Sequence, residues 1–387
     1  MPEIWLPYNS VEVAVNLKAE NFAEEIVTKV PAINEETIQE TLKKIEIKDE
    51  IDLLCIAPNK SSIDIIRRII TDPRAKNITP KITIYTDNNH IIKLKKSLSD
   101  LNVKISEIDQ QKNKVGNIDG IDIKIPKNFQ NKKSQIIVSN TGFDPLLGFS
   151  GGPTSIVRYF AGDMIEEVFR RRKNDYPTPG VTSEPALFAD EIAELFNDVT
   201  NIEILHSGDE ITGIYAGNLV ETHKMASKQL LSNSQITVEN DVSALILSAG
   251  GSENDYTLSN SLKAVWNVVG GIKEKSVIAL LAQCSGGLGS EALKMYVSGR
   301  LDIKNILKKE KYVEGLEDLI YIQSALNKST LILVSALPDY YSEIKMGFHA
   351  SRKAGDALSY ILSSKGSKTK VHILPHGTDT LLSNTKK

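Results

Sequence analysis

Two spacings of apolar residues alternate along this chain. Compact apolar runs lie at Asp52–Ala57, Lys81–Tyr85, Gln135–Val138, Ala244–Ser248, Val277–Gln283, Leu331–Val334 and Val371–Leu374. Short runs of this kind are what strands buried on both faces require. Between them, Thr37–Ile45, Ile63–Ile70, Ile91–Leu98, Phe188–Phe196 and Leu258–Val269 place apolar residues at helical spacing. Strand–helix alternation predicts an α/β fold of two α/β domains, with largely parallel sheets and a cleft between them. Glu3–Leu17 alternates apolar and polar residues about Asn9-Ser10, and Ile202–Leu205 with Ile211–Tyr215 flanks Ser207-Gly208-Asp209; both read as hairpins. The polar stretch Ile105–Lys127 reads as an excursion holding one more. The alternation restarts near Ser234, so the expected domains are 1–233 and 234–387, with the last residues free to pack back on the first.

The glycine positions sharpen this picture. Leu147-Gly148-Phe149-Ser150-Gly151-Gly152-Pro153-Thr154 follows the Gln135–Val138 strand and precedes a helix expected over Thr154–Arg172. Such a turn brings backbone N–H groups close to an anion at a helix N-terminus. Gly148, Gly151, Gly152, Ser150 and Thr154 are therefore candidate ligand-binding residues. Gly250-Gly251 and Gly286-Gly287-Leu288-Gly289 also follow strands, at the edge where open α/β sheets bind ligands. Taken alone, each loop reads more readily as a plain tight turn; three on matching strand ends make a ligand cleft more credible.

Composition narrows the classes. A chain of 387 residues, 41% hydrophobic and 25% charged, has the balance of a two-domain globular protein. A net charge of −3 argues against a nucleic-acid or membrane partner. Cys55 and Cys284 sit in apolar runs and read as reduced core thiols of a cytoplasmic protein. Neither a leader peptide nor a membrane span is expected.

Candidate chemistry is sparse. The six histidines do not form zinc-ligand spacing, so no metal site is assigned. His90, beyond the Lys81–Tyr85 strand, is the histidine best placed for acid/base work, ahead of His206 and His223. Lys263, on the helix after Gly250-Gly251 with Trp266 one turn on, suits a carboxylate or phosphate; a solvated lysine is the plainer alternative. Gly148-Phe149-Ser150-Gly151-Gly152 also matches the bare nucleophile-elbow pattern, with His376 as its histidine, but the following Gly152-Pro153 favours a loop shaped for ligand approach.

Several segments together resemble the lactate racemase family of nickel-pincer racemases and epimerases. They are Gly148–Gly152, Glu210–Gly217 with His223, Ser248–Asp255 with Leu262-Lys263-Ala264, Ala282–Gly289 and Val371–Gly377, in order across most of the chain. The resemblance implies two α/β domains with a site between them and isomerisation of 2-hydroxy acids. It also implies a nickel-bearing pyridinium nucleotide tethered to a lysine, a nickel-ligating histidine, and two histidines that exchange the substrate's hydroxyl proton. In this chain the tethering lysine falls at Thr154 and one proton-exchanging histidine at Asp144; the other corresponds to His90 with an alignment shift. The early Asp/Thr/Arg motif falls at Ala57–Ser61, which offers Lys60 instead, and Thr182–Leu187 holds no histidine where the nickel ligand is expected. Lys263 matches the family's substrate lysine, with Asn260 in place of its glutamine neighbour.

The expectation is a divergent member lacking most of the family's catalytic residues, its cofactor unknown. It keeps a small anionic ligand at Gly148–Gly152, Lys60, Asn260 and Lys263, with His90, Asp144 and Lys263 left for any catalysis. A ligand sensor or assembly subunit with unidentified protein partners is the non-enzymatic alternative, and a serine hydrolase a weaker one.

Overall fold

The computed structural model describes residues 3–74, 78–129, 134–160, 162–196, 198–238 and 242–384. In chain order its strands are β1 (Glu3–Tyr8), β2 (Val11–Asn16), β3 (Phe22–Glu25), β4 (Glu50–Cys55), β5 (Lys81–Thr86), β6 (Lys104–Glu107), β7 (Lys112–Ile118), β8 (Ile121–Pro126), β9 (Ser134–Asn140) and β10 (Gly142–Asp144). They continue as β11 (Gly148–Ser150), β12 (Val199–Ser207), β13 (Glu210–Gly217), β14 (Gln235–Val238), β15 (Val242–Ser248), β16 (Ile272–Leu281), β17 (Thr330–Val334), β18 (His349–Ser351), β19 (Val371–Leu374) and β20 (Leu381–Asn384).

Two six-stranded sheets organise the molecule, in the orders β13-β12-β9-β4-β5-β6 and β18-β17-β16-β15-β19-β3. Every neighbouring pair is parallel except β12 with β13, so the α/β expectation holds. The period of two along each strand explains the layering. Leu53 and Ile136 face an outer cluster, while Leu54 and Ile137 face inward. In the second sheet Ile246 faces outward and Leu245 and Leu247 inward. The inward faces share one continuous cluster that includes Phe160, Phe188, Trp266 and Tyr321. A middle layer of helices therefore joins the sheets through apolar packing.

The outer face of the second sheet is covered by the β1–β2 hairpin, whose Leu6, Val15 and Leu17 are fully buried against it. β3, although early in the chain, is that sheet's edge strand beside β19. The Ile105–Lys127 hairpin is β7–β8.

One element departs from expectation. The helix expected over Thr154–Arg172 is two helices, Gly152–Phe160 and Asp163–Arg170. Between them Gly162 adopts φ +73°, and Lys112 Nζ donates to the Phe160 carbonyl, satisfying the end of the first piece. Both pieces bury the same apolar face, which is why the sequence pattern runs through the break.

Candidate functional site

In the first sheet, strand order reverses direction between β4 and β9; in the second, between β15 and β19. The carboxyl ends of these strands carry the expected loops: Ala57–Lys60 and Thr141–Gly152 on one sheet, Ala249–Asp255 and Pro375–Thr378 on the other. Ligands of open α/β sheets bind at such points. Lys93 ties the two edges together. Its Nζ donates to the Pro58 carbonyl at 2.6 Å and pairs with Glu253 of the second sheet's loop.

The glycine turn is built to approach its own chain closely. Gly148 adopts φ +78° against the backbone of Val181, and the Gly180 N–H donates to its carbonyl at 2.8 Å. Gly151 and Gly152 also have positive φ, and a Cβ on either would collide with the carboxylate of Glu203. Glu203 is fully buried on β12. Thr141 Oγ1 donates to it, as does Asn201 Nδ2 at 2.9 Å, and His223 Nδ1 lies at 3.1 Å. An internal carboxylate thus sits where the turn was expected to meet an external anion. The turn's Gly152 N–H goes to Ser139 Oγ at 3.1 Å. Thr154 is buried, and its hydroxyl donates to the Gly151 carbonyl at 2.8 Å.

Asp144 is likewise occupied. Its carboxylate accepts the Leu146 and Leu147 N–H groups and a two-point bond from Arg158, each contact to Arg158 at 2.7 Å. Burial acts to raise its pKa, but the Arg158 charge and these hydrogen bonds prevail and hold it below the usual carboxylate range. Arg158 reaches on to Glu317 at 2.9 Å, on the Leu316–Lys328 helix that packs against β16 and β17.

His90 follows β5, with Nδ1 2.7 and 2.8 Å from the two oxygens of Asp87. Tyr159 stands near the same carboxylate, part of its ring exposed and its hydroxyl end among protein groups; desolvation there first, then the Asp87 charge, pushes the hydroxyl up to about 12. Lys60 is exposed and pairs with Asp209 at 2.7 Å. It lines a groove of about 490 Å³ together with Ser61, Arg68, Glu35 and Asp64. On the Leu258–Val268 helix, Lys263 is exposed, while Asn260 Nδ2 donates to the Glu253 carbonyl at 2.9 Å. Trp266 does not share the exposed face of Lys263. It is fully buried and donates to Asp318 at 2.9 Å.

Ser150 lies opposite Gly142 in the β10–β11 pair, and His376 lies beside Gly250. No hydrogen bond joins the two among the described residues. Gly251 makes room for the tip of the β1–β2 hairpin, since a Cβ there would fall 2.8 Å from the Asn9 carbonyl oxygen. Gly286 does the same for the Tyr256 ring. The structure thus gathers Gly148–Gly152, Thr154 and Asp144 around one turn, and Lys263 and Asn260 on one helix. It leaves Lys60 in a groove of its own and His90 with Asp87.

The tethered cofactor implied by the resemblance does not fit these residues. A threonine has no amine to form the amide link, and the Thr154 hydroxyl is turned into its own loop. Among the described residues no three His, Cys, Asp or Glu side chains converge to hold a metal ion.

Arg158, Glu203, Glu317 and Lys93 escaped the sequence reading. Glu203 and Arg158 have one faint signal, a lone charge inside an otherwise apolar strand or helix, as in Asn201-Ile202-Glu203-Ile204 and Ile156-Val157-Arg158-Tyr159; Glu317 beside Asp318 and Lys93 near Lys95 and Lys96 have none. Buried charges need partners, but the partners lie far off in sequence.

Paired parallel sheets bridged at their carboxyl edges define the class: a two-sheet α/β protein with the lactate racemase fold. The apoprotein of lactate racemase from Thermoanaerobacterium thermosaccharolyticum superposes with a TM-score of 0.82 at 17% identity, covering 98% of this chain and all of that one. A crystal structure of a Thermotoga maritima protein superposes with a TM-score of 0.68 at 12% identity, covering 93% of this chain and all of that one. In sequence, lactate racemase from T. thermosaccharolyticum is 22% identical over 266 residues, 65% of this chain; the match spans 62% of that relative's length. No family model matches the chain. The chain thus has the fold of lactate racemase and resembles it in sequence over about two thirds of its length. Among the described residues no helix is long and apolar enough to cross a membrane.

Proposed function

We propose that this protein is a divergent lactate-racemase-like protein that binds a small anionic molecule of the 2-hydroxy-acid class without the tethered nickel nucleotide. The observation that carries the reading is Thr154, buried with its hydroxyl closed on the Gly151 carbonyl at the position of the tethering lysine. Lys263 is the residue for the ligand's carboxylate. It is exposed, forms no ion pair among the described residues, and stands one turn from Asn260, whose amide holds the loop that Lys93 ties to the first sheet. His90, oriented by Asp87 through Nδ1, leaves Nε2 for a ligand hydroxyl. Any isomerisation by this chain runs through such groups. A cytoplasmic location belongs to the same proposal and fits two buried free cysteines.

The test is a thermal-shift panel of 2-hydroxy acids and sugar acids, with chiral analysis of each after incubation. Binding that is lost in Lys263→Ala supports the reading. Nickel-dependent interconversion of lactate enantiomers contradicts it.

A second reading, a non-enzymatic sensor or assembly subunit, is favoured by Asp144. Both oxygens of its carboxylate are committed to structure, to Arg158 and two backbone amides. Ligand binding without turnover of any acid in the panel selects it.

A further inference from the structure

A second cluster of ionisable groups lies between the sheets, and the ligand reading does not use it. Asp144 on β10 and Arg158 on the Gly152–Phe160 helix belong to the first sheet's side. Glu317 and Asp318, consecutive on the Leu316–Lys328 helix, belong to the second. Arg158 spends Nε and one terminal nitrogen on Asp144 and the other terminal nitrogen on Glu317 at 2.9 Å. The second oxygen of Glu317 accepts from Tyr312 at 2.9 Å, and Tyr321 donates to the Pro145 carbonyl at 3.3 Å. Asp318 points the other way, accepting from Ser259 Oγ and Trp266 Nε1, both at 2.9 Å. All three carboxylates are buried. Tyr159 and Glu314 stand at the edge of the cluster, and Arg172 lies within electrostatic reach of Tyr321.

Charge counting makes this arrangement sensitive. One guanidinium faces three carboxylates in a setting where burial magnifies each repulsion. With Asp318 protonated, the four groups sum to −1; with it ionised, to −2. We infer that Glu317 clasps the two sheets through Arg158, and that the clasp loosens when the neighbouring Asp318 is charged as well as Glu317. Burial first, then the Glu317 charge, pushes the Asp318 carboxyl up to about 7, while the Ser259 and Trp266 hydrogen bonds and Arg158 pull it down. The two charge states therefore exchange near neutral pH.

Trp266 supplies the reporter. The chain has two tryptophans, and Trp5 is 52% exposed, so Trp5→Phe leaves only the indole that touches Asp318. In that background the emission is expected to titrate between pH 5 and 9 with a midpoint near 7. Asp318→Asn abolishes the titration. Ser259→Ala, which removes a donor to the carboxylate, moves the midpoint up; Glu317→Gln moves it down. Hydrogen exchange of the Leu316–Lys328 helix, corrected for intrinsic rates, loses protection above the midpoint in the parent and keeps it in Asp318→Asn. An unchanged titration in Asp318→Asn overturns the clasp. So does a midpoint indifferent to both Ser259→Ala and Glu317→Gln, or exchange protection constant across the range.

Discussion

Gly151 shows how one residue decides what a loop is for. Its φ of +114° already disfavours a side chain, and the space a methyl group needs is filled by the Glu203 carboxylate. Gly151→Ala is expected to cost about 2–4 kcal/mol, from backbone strain and displacement of a buried charge, measured by urea unfolding. The same change in a Glu203→Ala background is expected to cost clearly less, because the two sites share one volume. Arg158 is the complementary case. Arg158→Met strands Asp144 and Glu317 as buried unpaired charges, an expected loss of about 3–5 kcal/mol. The sequence singled out Gly151 by its spacing but not Glu203, which sits in a strand whose neighbours are apolar. A glycine advertises a close approach without saying what approaches.

At the scale of elements, the strands were legible and the breaks were not. β4, β9 and β15 are buried on both faces and therefore read as continuous apolar runs. The interruption at Gly162 left no mark on the pattern, because the helices on either side present the same face to the core. Gly162→Ala is expected to destabilise by about 1 kcal/mol or more, since its φ of +73° suits glycine. The β1–β2 hairpin offers a second test. Its tip places Asn9 against Asp255 and Gln283, and its strands cover Ala244, Ile246 and Ala279. Deleting residues 1–17 is expected to expose that face, read as binding of an apolar dye that the full chain does not show. Pairing of the hairpin's two strands was visible in its alternation; the surface it covers was not, because the strands it packs on, β15 and β16, lie far along the chain.

For the whole molecule, pH links the ion cluster to stability. The folded Asp318 pKa of about 7 lies above that of an unfolded aspartate, about 4. Its contribution is therefore fully present below about pH 4 and is lost as pH rises through 7. Asp144 has the opposite sign. Its folded pKa is depressed, so its contribution is present above about pH 4 and is lost as pH falls through the lower folded value. Between pH 5 and 8 the urea midpoint of Asp318→Asn is accordingly expected to vary less than that of the parent. The lactate racemase fold spans nearly the whole chain, and Thr154, where the resemblance puts a tethering lysine, has its hydroxyl folded into its own turn. Whether this fold is kept without the tethered cofactor is decided by intact-mass and nickel analysis of protein purified from cells that make the nickel-pincer nucleotide. The mass of the unmodified chain, with no stoichiometric nickel, is expected. A covalent nucleotide adduct carrying nickel would contradict it.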